Sequence, residues 1–278
     1  MTTNPLSSWW TTWGCSGPPF TRHLPVERLY PTPSWHECRA RLFTTLDERG
    51  FLVLTGESGV GKSTMLRAVL QSLNPSQYVP IYLPTAEEWT PRLFYRAVAH
   101  QLEVPLAPFA DDTERTVRQT LWQLTTQQGR LPVLTLDEAH FLSPHVLQEL
   151  RVLLNFQMDS MAPLALILSG HTELRRKLLL RPLDAIRQRV TIAYQLPPLT
   201  AAETAGYIGH HLRQVGVERP IFTEATLKAA HDWSQGLPRR INHWARACLM
   251  AAGASDQTLV DEGIVAIAES ELQWAGPV

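Results

Sequence analysis

Short apolar runs alternate with segments of helical periodicity over the first 197 residues of the chain. Runs of this kind are typical of parallel strands buried on both faces, and the segments between them have the length of helices. The alternation predicts an α/β fold, with a parallel five-stranded sheet and helices on both faces. The predicted strands are Phe51–Thr55, Val79–Leu83, Val133–Leu136, Leu164–Leu168 and Val190–Leu196. The predicted helices span residues 35–49, 62–73, 91–102, 111–128, 144–155 and 173–180.

The pattern changes after Pro197-Pro198, because every later periodic segment is helical. Thr200 and Glu203 have the spacing of a capping box at the start of the first of these helices. The change predicts an α/β domain over residues 36–197 and a small helical lid domain over residues 198–278. The predicted lid helices span residues 201–215, 224–233, 238–252 and 259–273.

Residues 1–35 are rich in Pro, Thr and Trp and have no helical periodicity. A disordered tail would be poor in aromatic residues. We therefore predict an N-terminal strap that lies across the main domain. The helix that follows has a predicted capping box, in which Ser34 caps and Glu37 reaches back.

Composition and charge narrow the class of protein. The 278 residues are 44% apolar and 18% charged, as in a globular protein. The net charge is only -1, so any basic surface for nucleic acid must be local. The three cysteines, Cys15, Cys38 and Cys248, follow no metal or disulfide spacing. No signal peptide is visible, and no run approaches the roughly 18 apolar residues of a membrane span. We expect a cytoplasmic protein without a membrane partner.

The strongest motif is Gly56-Glu57-Ser58-Gly59-Val60-Gly61-Lys62-Ser63, which matches the P-loop pattern G-x-x-x-x-G-K-[ST] between a predicted strand and a predicted helix. The glycines let backbone N–H groups approach phosphate oxygens. Lys62 is expected to neutralise the β- and γ-phosphates, and Ser63 to ligate Mg²⁺. We assign this loop and Thr64 to binding ATP and Mg²⁺.

A second motif, Asp137-Glu138, follows the third predicted strand. The carboxyl end of that strand reaches the same edge of the sheet as the P-loop. Asp137 is expected to hold Mg²⁺ through water, and Glu138 to orient and deprotonate the attacking water. The two motifs predict a Mg²⁺-dependent ATPase that converts ATP and water to ADP and phosphate.

The predicted helical lid resembles that of AAA+ ATPases. The resemblance includes the stretch Gly236-Leu237-Pro238-Arg239-Arg240-Ile241-Asn242. The resemblance implies that Arg239 senses the γ-phosphate. Nearly the whole chain is similar to the ExeA-like branch of this class, through Asp137-Glu138-Ala139-His140, Gly170-His171-Thr172-Glu173-Leu174 and Arg187-Gln188-Arg189. Members more often have Gln-Pro where this chain has His171-Thr172. The polar sensor at this strand end is therefore either Ser169 or His171.

The resemblance also implies hydrolysis between subunits of a homo-oligomer, either a ring or a helical filament. An arginine from the neighbouring subunit would stabilise the transition state. Arg187 and Arg189 stand at the matching position, and Arg189 is the slightly preferred candidate.

Two functions are consistent with this class. The first is an ATP-dependent regulator of DNA transposition, similar to TnsC, TniB and MuB, which oligomerises on target DNA and recruits a DDE-type transposase, with a target-selector protein as a further partner. Hydrolysis would control disassembly. The alternative is a secretion-associated ATPase like ExeA, which carries a membrane span and a peptidoglycan-binding region after its ATPase. Neither feature is visible in this sequence, so we expect the DNA function.

Candidate DNA contacts lie in two basic segments. Arg92 and Arg96 lie close to Trp89, and together they offer basic and aromatic groups suited to the DNA backbone. No recognition helix or zinc finger is apparent, so we expect binding to double-stranded DNA to be largely sequence-independent and to weaken with salt. The second segment comprises Arg175, Arg176, Lys177 and Arg181.

Overall fold

The computed structural model describes residues 9–21, 24–105, 110–154 and 162–272. They divide into two compact units, and each is described by itself. The α/β unit comprises residues 33–57 and 62–196. The helical unit comprises the described residues up to Thr32, residues 58–61, and those from Pro197 onward.

The α/β unit contains a five-stranded sheet in the order β2-β3-β4-β1-β5, with every neighbouring pair parallel. This confirms the predicted fold class, with strand bounds shifted by a few residues. The strands are β1 (Phe51–Thr55), β2 (Tyr78–Pro84), β3 (Leu131–Asp137), β4 (Ala165–Gly170) and β5 (Ile192–Gln195). The helices are α1 (Pro33–Asp47), α2 (Lys62–Ser72), α3 (Pro91–Gln101), α4 (Ala110–Thr126), α5 (Pro144–Leu154), α6 (Glu173–Leu178) and α7 (Asp184–Arg187).

The sheet is buried because helices cover both faces. Every residue of β1, β3 and β4 is buried, which explains their continuous apolar sequences. Alternate side chains, including Val53, Leu136 and Leu168, form one core with α3, α4 and α5. Helices α1 and α2 contribute buried leucines outside that cluster and contact β1, β4 and β5.

Some predicted boundaries differ from the structure. Ser34 lies inside the first turn of α1, not before it, and the Glu37 carboxylate accepts hydrogen bonds from Arg41. The helix predicted over residues 173–180 ends two residues earlier, at Leu178, and a separate 3-10 turn follows at Arg181–Leu183. Two predicted helix ends, one at Asn155 and one at residue 273, lie outside the described residues.

The helical unit contains α8 (Ala201–Arg213), α9 (Glu224–Ser234), α10 (Pro238–Ala254) and α11 (Glu262–Glu271). The capping box of Thr200 and Glu203 is present at the start of α8. The N-terminal aromatic residues pack into this unit's core, whereas the sequence suggested the main domain. Trp13 donates its indole N–H to the Leu249 carbonyl at 3.1 Å, and the Phe20 ring stacks on His211.

Candidate functional site

The P-loop forms the connection from β1 to α2. Gly59 and Gly61 have φ values of +82° and +112°, a region that favours glycine because residues with a Cβ rarely adopt it. A Cβ at Gly59 would also lie 2.7 Å from the Cβ of Arg239. The loop can therefore expose its backbone amides to an anion without side-chain obstruction.

Lys62 lies at the N-terminus of α2 and is 5% exposed. Its ammonium group donates hydrogen bonds to the carbonyls of Gly56 at 2.8 Å and Glu57 at 3.0 Å. A helix N-terminus favours anions, so this cation and the helix dipole act in the same direction on a phosphate. Ser63 is exposed and Thr64 is half-buried in the first turn, while Val60 is buried.

Asp137 ends β3 and is 2% exposed. Its Oδ1 accepts hydrogen bonds from the Ser169 hydroxyl at 2.8 Å and from the Glu138 amide at 3.0 Å. Its Oδ2 accepts from the Tyr82 hydroxyl at 2.9 Å. Burial and the nearby carboxylate raise the pKa of Tyr82, so its phenol stays protonated and donates. A hydroxyl at Ser63 and this carboxylate are the hard oxygen ligands that suit Mg²⁺.

Glu138 adopts a left-handed conformation, with φ +55° and ψ +34°. This conformation is costly for a residue with a side chain and is often found where a functional group must be aimed. The Thr85 hydroxyl, just beyond β2, lies 2.8 Å from the carbonyl oxygens of both Asp137 and Glu138. Thr85 thus supports the turn that carries the two acids.

The Glu138 side chain is 44% exposed, with its Oε2 3.4 Å from Nδ1 of His140. Burial lowers the pKa of His140, so the ring is neutral near pH 7. Its Nδ1 accepts the backbone N–H of His171 at 3.3 Å and therefore carries no proton to give to Glu138. The carboxylate is free to act as a base.

The structure separates the two candidate sensors. Ser169 is fully buried in β4 and bonds to Asp137. His171, just past the strand, places Nε2 3.0 Å from the Glu57 carboxylate. Ser169 therefore contacts the Asp137-Glu138 pair, whereas His171 contacts the P-loop at Glu57.

Arg239 is exposed at the start of α10, in the helical unit. Its Nη1 donates to the Ser58 hydroxyl at 3.1 Å, and its backbone N–H donates to the Gly59 carbonyl at 3.2 Å. Residues 58–61 cluster with the helical unit, so these contacts are internal to it. The arginine predicted as a sensor thus touches the P-loop directly.

The two candidate arginine fingers are both engaged within the α/β unit. Arg187 is exposed and pairs with Asp184 at 2.9 Å. Arg189 is half-buried and donates to the Leu154 carbonyl at 3.5 Å, a long hydrogen bond. Arg187 has the more accessible guanidinium of the two.

The candidate DNA residues differ in their exposure and in the hydrogen bonds that they make. Arg92 and Arg96 are exposed one turn apart on α3, and Trp89 packs partly on the core beneath. Arg175 donates to Gln195, and Arg176 is exposed. Lys177 is half-buried and donates to the carbonyls of His140 and Leu142, so it supports the turn after Glu138.

Sequence reasoning missed Tyr82 and Thr85. Tyr82 lies on β2 and Thr85 just after it. This strand was predicted, but the contacts of the two residues with the acid pair depend on the pairing of β2 with β3. Tyr82 pairs with Thr135 and Pro84 with Asp137, and this register brings both side chains to the acid pair.

The parallel sheet and the P-loop that follows β1 define the P-loop AAA+ fold. Residues 45–178 match the family model described as AAA domain. This match agrees with the nucleotide-binding P-loop between β1 and α2. Within the described residues, no helix has the length and apolar character needed to traverse a bilayer.

General secretion pathway protein A of Aeromonas hydrophila is 32% identical over 267 residues, which cover 93% of this chain and 47% of that protein. The chain thus spans about half the length of this curated relative. Among solved structures, Aeropyrum pernix ORC1 in complex with DNA has a TM-score of 0.68 and 17% identity, covering 96% of this chain and 70% of that chain. The Thermotoga maritima RuvB Holliday junction branch migration motor has a TM-score of 0.53 and 19% identity, covering 85% and 69%. Identities this low establish a shared fold alone.

Proposed function

We propose that the protein is a Mg²⁺-dependent ATPase whose nucleotide state controls assembly on DNA. The observation that carries the hydrolytic part is the buried Asp137 carboxylate, oriented by three donors at the sheet edge where the P-loop begins. Lys62 and the loop amides bind the phosphates, and Ser63 with Asp137 holds the metal. When bound, Mg²⁺ would neutralise charge on the β- and γ-phosphates.

In this proposal Glu138 takes a proton from the attacking water, and the Thr85 contacts keep its backbone in the required conformation. Ser169 serves as the polar sensor because it bonds to Asp137. Arg239 senses the γ-phosphate from its position on Ser58 and Gly59. Arg187 or Arg189 of a neighbouring subunit completes the site, which makes the active form a homo-oligomer, ring or filament.

A Glu138→Gln variant tests the hydrolytic assignment. It should bind ATP like the unmodified protein, since the amide keeps the size of the side chain, and lose at least about 100-fold in turnover because the base is gone. Lys62→Ala is the reference variant and should lose nucleotide binding itself. Turnover retained by Glu138→Gln would contradict the role of this residue.

The finer function that we propose is regulation of DNA transposition, in which the ATP-bound oligomer on target DNA recruits or activates a DDE-type transposase. The exposed Arg92 and Arg96 beside Trp89 support contact with the DNA backbone. Arg175 and Arg176 are a second candidate pair; Lys177 is excluded from this proposal because backbone carbonyls engage it. The fold shared with Aeropyrum pernix ORC1, whose structure is a complex with DNA, is consistent with this function.

Fluorescence anisotropy with labelled duplex DNA tests this proposal. ATP-loaded protein should bind unrelated sequences with similar affinity, and binding should weaken steeply with salt. Arg92→Ala/Arg96→Ala should lower affinity and reduce the slope of log K against log[salt] by about 0.9 for each lost phosphate contact. Arg115→Ala/Arg118→Ala removes the same charge from α4, where Arg115 is exposed and Arg118 is half-buried, and is the control.

A secretion-associated ATPase is the second candidate, favoured by the 32% identity to General secretion pathway protein A. That relative extends well beyond the matched region, so the extent of the present chain does not separate the two functions. ATP-loaded protein with no affinity for duplex DNA at low salt would contradict the transposition function and favour secretion. Electron microscopy with ATP, DNA and both together provides the complementary observation, since the DNA function requires assembly on DNA only with ATP.

A further inference from the structure

Tyr82 reaches the nucleotide site from the edge strand of the sheet. It lies on β2 between Ile81 and Leu83, whose side chains enter the core formed with α3, α4 and α5. Because side chains alternate along a strand, Tyr82 faces the opposite side. Its partner in the ladder is Thr135, two residues before Asp137, so the long phenol side chain can reach the carboxylate at the end of β3.

Hydrogen bonds occupy most of the lone pairs on the carboxylate oxygens of Asp137. Each carboxylate oxygen offers two lone pairs. Oδ1 accepts from Ser169 and from the Glu138 amide, which occupies both. Oδ2 accepts from Tyr82 alone among the described residues. One lone pair on Oδ2 therefore remains for a further donor, and Tyr82 shares this oxygen.

We propose that Tyr82 is a positioning residue for the metal. Its hydroxyl occupies one lone pair of Asp137 Oδ2 and so directs the remaining lone pair toward water bound to Mg²⁺. This inference rests on the proposed function of Asp137 and deepens it. Hydrogen bonds that orient a metal-binding carboxylate typically affect metal affinity by about 10- to 100-fold when removed.

The geometry explains why a phenol serves here. Tyr82 is half-buried, so solvent competes only weakly for its hydrogen bond to Asp137, and its ring has few accessible conformations. At 2.9 Å the bond has ordinary hydrogen-bond length. Ser169 on β4 donates to one oxygen of Asp137, and Tyr82 on β2 donates to the other. The two strands that flank β3 therefore orient the carboxylate from both sides.

The test removes only the hydroxyl, with Tyr82→Phe. Binding of a fluorescent ATP analogue is titrated with Mg²⁺, and binding of Mn²⁺ to the protein–nucleotide complex is followed by electron paramagnetic resonance. The half-saturating metal concentration should rise about tenfold, while nucleotide binding without metal stays within about twofold. Tyr78→Phe, at the other end of β2, is the matched control and should behave as the unmodified protein. Unchanged metal titration in Tyr82→Phe overturns the inference.

A double-mutant cycle shows whether Tyr82 acts through Asp137. Tyr82→Phe added to Asp137→Asn should change the half-saturating metal concentration no further, since the group that it orients is already altered. A full additive effect would overturn the inference, because Tyr82 would then act by another route. Failure of the proposed function is distinguishable, because Asp137→Asn would itself leave the metal titration of the otherwise unmodified protein unchanged.

Discussion

The hydroxyl of Ser169 donates a 2.8 Å hydrogen bond to Oδ1 of Asp137, and both residues are buried. Removal of this donor leaves a buried carboxylate oxygen with one fewer partner, which is costly in a low-dielectric site. The bond joins the central strands β3 and β4 at the edge of the sheet where the proposed chemistry occurs. We therefore expect Ser169, and not His171, to be the polar sensor.

We predict that Ser169→Ala lowers the rate of ATP turnover by at least about tenfold, equivalent to about 1.4 kcal/mol. His171→Ala should lower it by less than about threefold, because His171 contacts Glu57 and not the acid pair. Steady-state ATPase assays at saturating nucleotide make the comparison. A larger loss in His171→Ala than in Ser169→Ala would reverse the assignment.

We predict that turnover in mixed oligomers distinguishes the arginine fingers. An Arg187→Ala protein and a Glu138→Gln protein, each inactive alone, should regain part of the activity when mixed, because some interfaces then combine an intact base with an intact arginine. The same mixture with Arg189→Ala decides between the two candidates. Arg187 is the better placed, since Arg189 is half-buried and contacts Leu154. Absence of recovery with both arginine variants would contradict a shared site.

Gly236 should be intolerant of any side chain. Its φ is +70°, and a Cβ there would lie 2.0 Å from the carbonyl oxygen of Leu199. We predict that Gly236→Ala destabilises the protein by about 3 kcal/mol, from backbone strain and the displaced chain. Gly216→Ala is the control, because Gly216 has φ +88° but no atom within 4 Å of the added carbon. It should cost only about 1 kcal/mol in urea unfolding.

Acid should destabilise the helical unit through His211. This ring is 3% exposed and stacks on Phe20, and burial, aided by neighbouring His210, lowers its pKa to about 3. An unfolded histidine titrates near pH 6.5, so the unfolded state binds more protons between about pH 6.5 and 3. Stability is therefore complete above pH 6.5 and falls below it, by up to about 1.4 kcal/mol per pH unit.

The variant His211→Phe keeps a stacked ring and removes this titration. Urea unfolding, followed by tryptophan fluorescence at pH 7.5 and 5.5, should show a smaller loss of stability for the variant than for the unmodified protein. The difference should be about 1 kcal/mol, since pH 5.5 is one unit below the unfolded pKa. Equal losses in the two proteins would show that His211 does not carry the effect.

Much of the fold and part of the site could be predicted from local patterns. The five strands were recognisable because each is a short apolar run, and the parallel sheet followed from their alternation with helices. The partner of the N-terminal aromatic residues was predicted wrongly, because aromatic content indicates that a segment packs but not on which surface. Trp13 and Phe20 pack with the C-terminal helices, far along the chain.

The sequence by itself determined the P-loop and the Asp137-Glu138 pair, because contiguous residues and their flanking strands define both motifs. Only the tertiary structure showed that Tyr82 and Ser169 bond to opposite oxygens of Asp137. Those contacts depend on which strands lie beside β3 and on their register, and a shift of one residue would turn each side chain to the other face of the sheet. Strand order and register arise from packing over the whole unit, so no local pattern contains them.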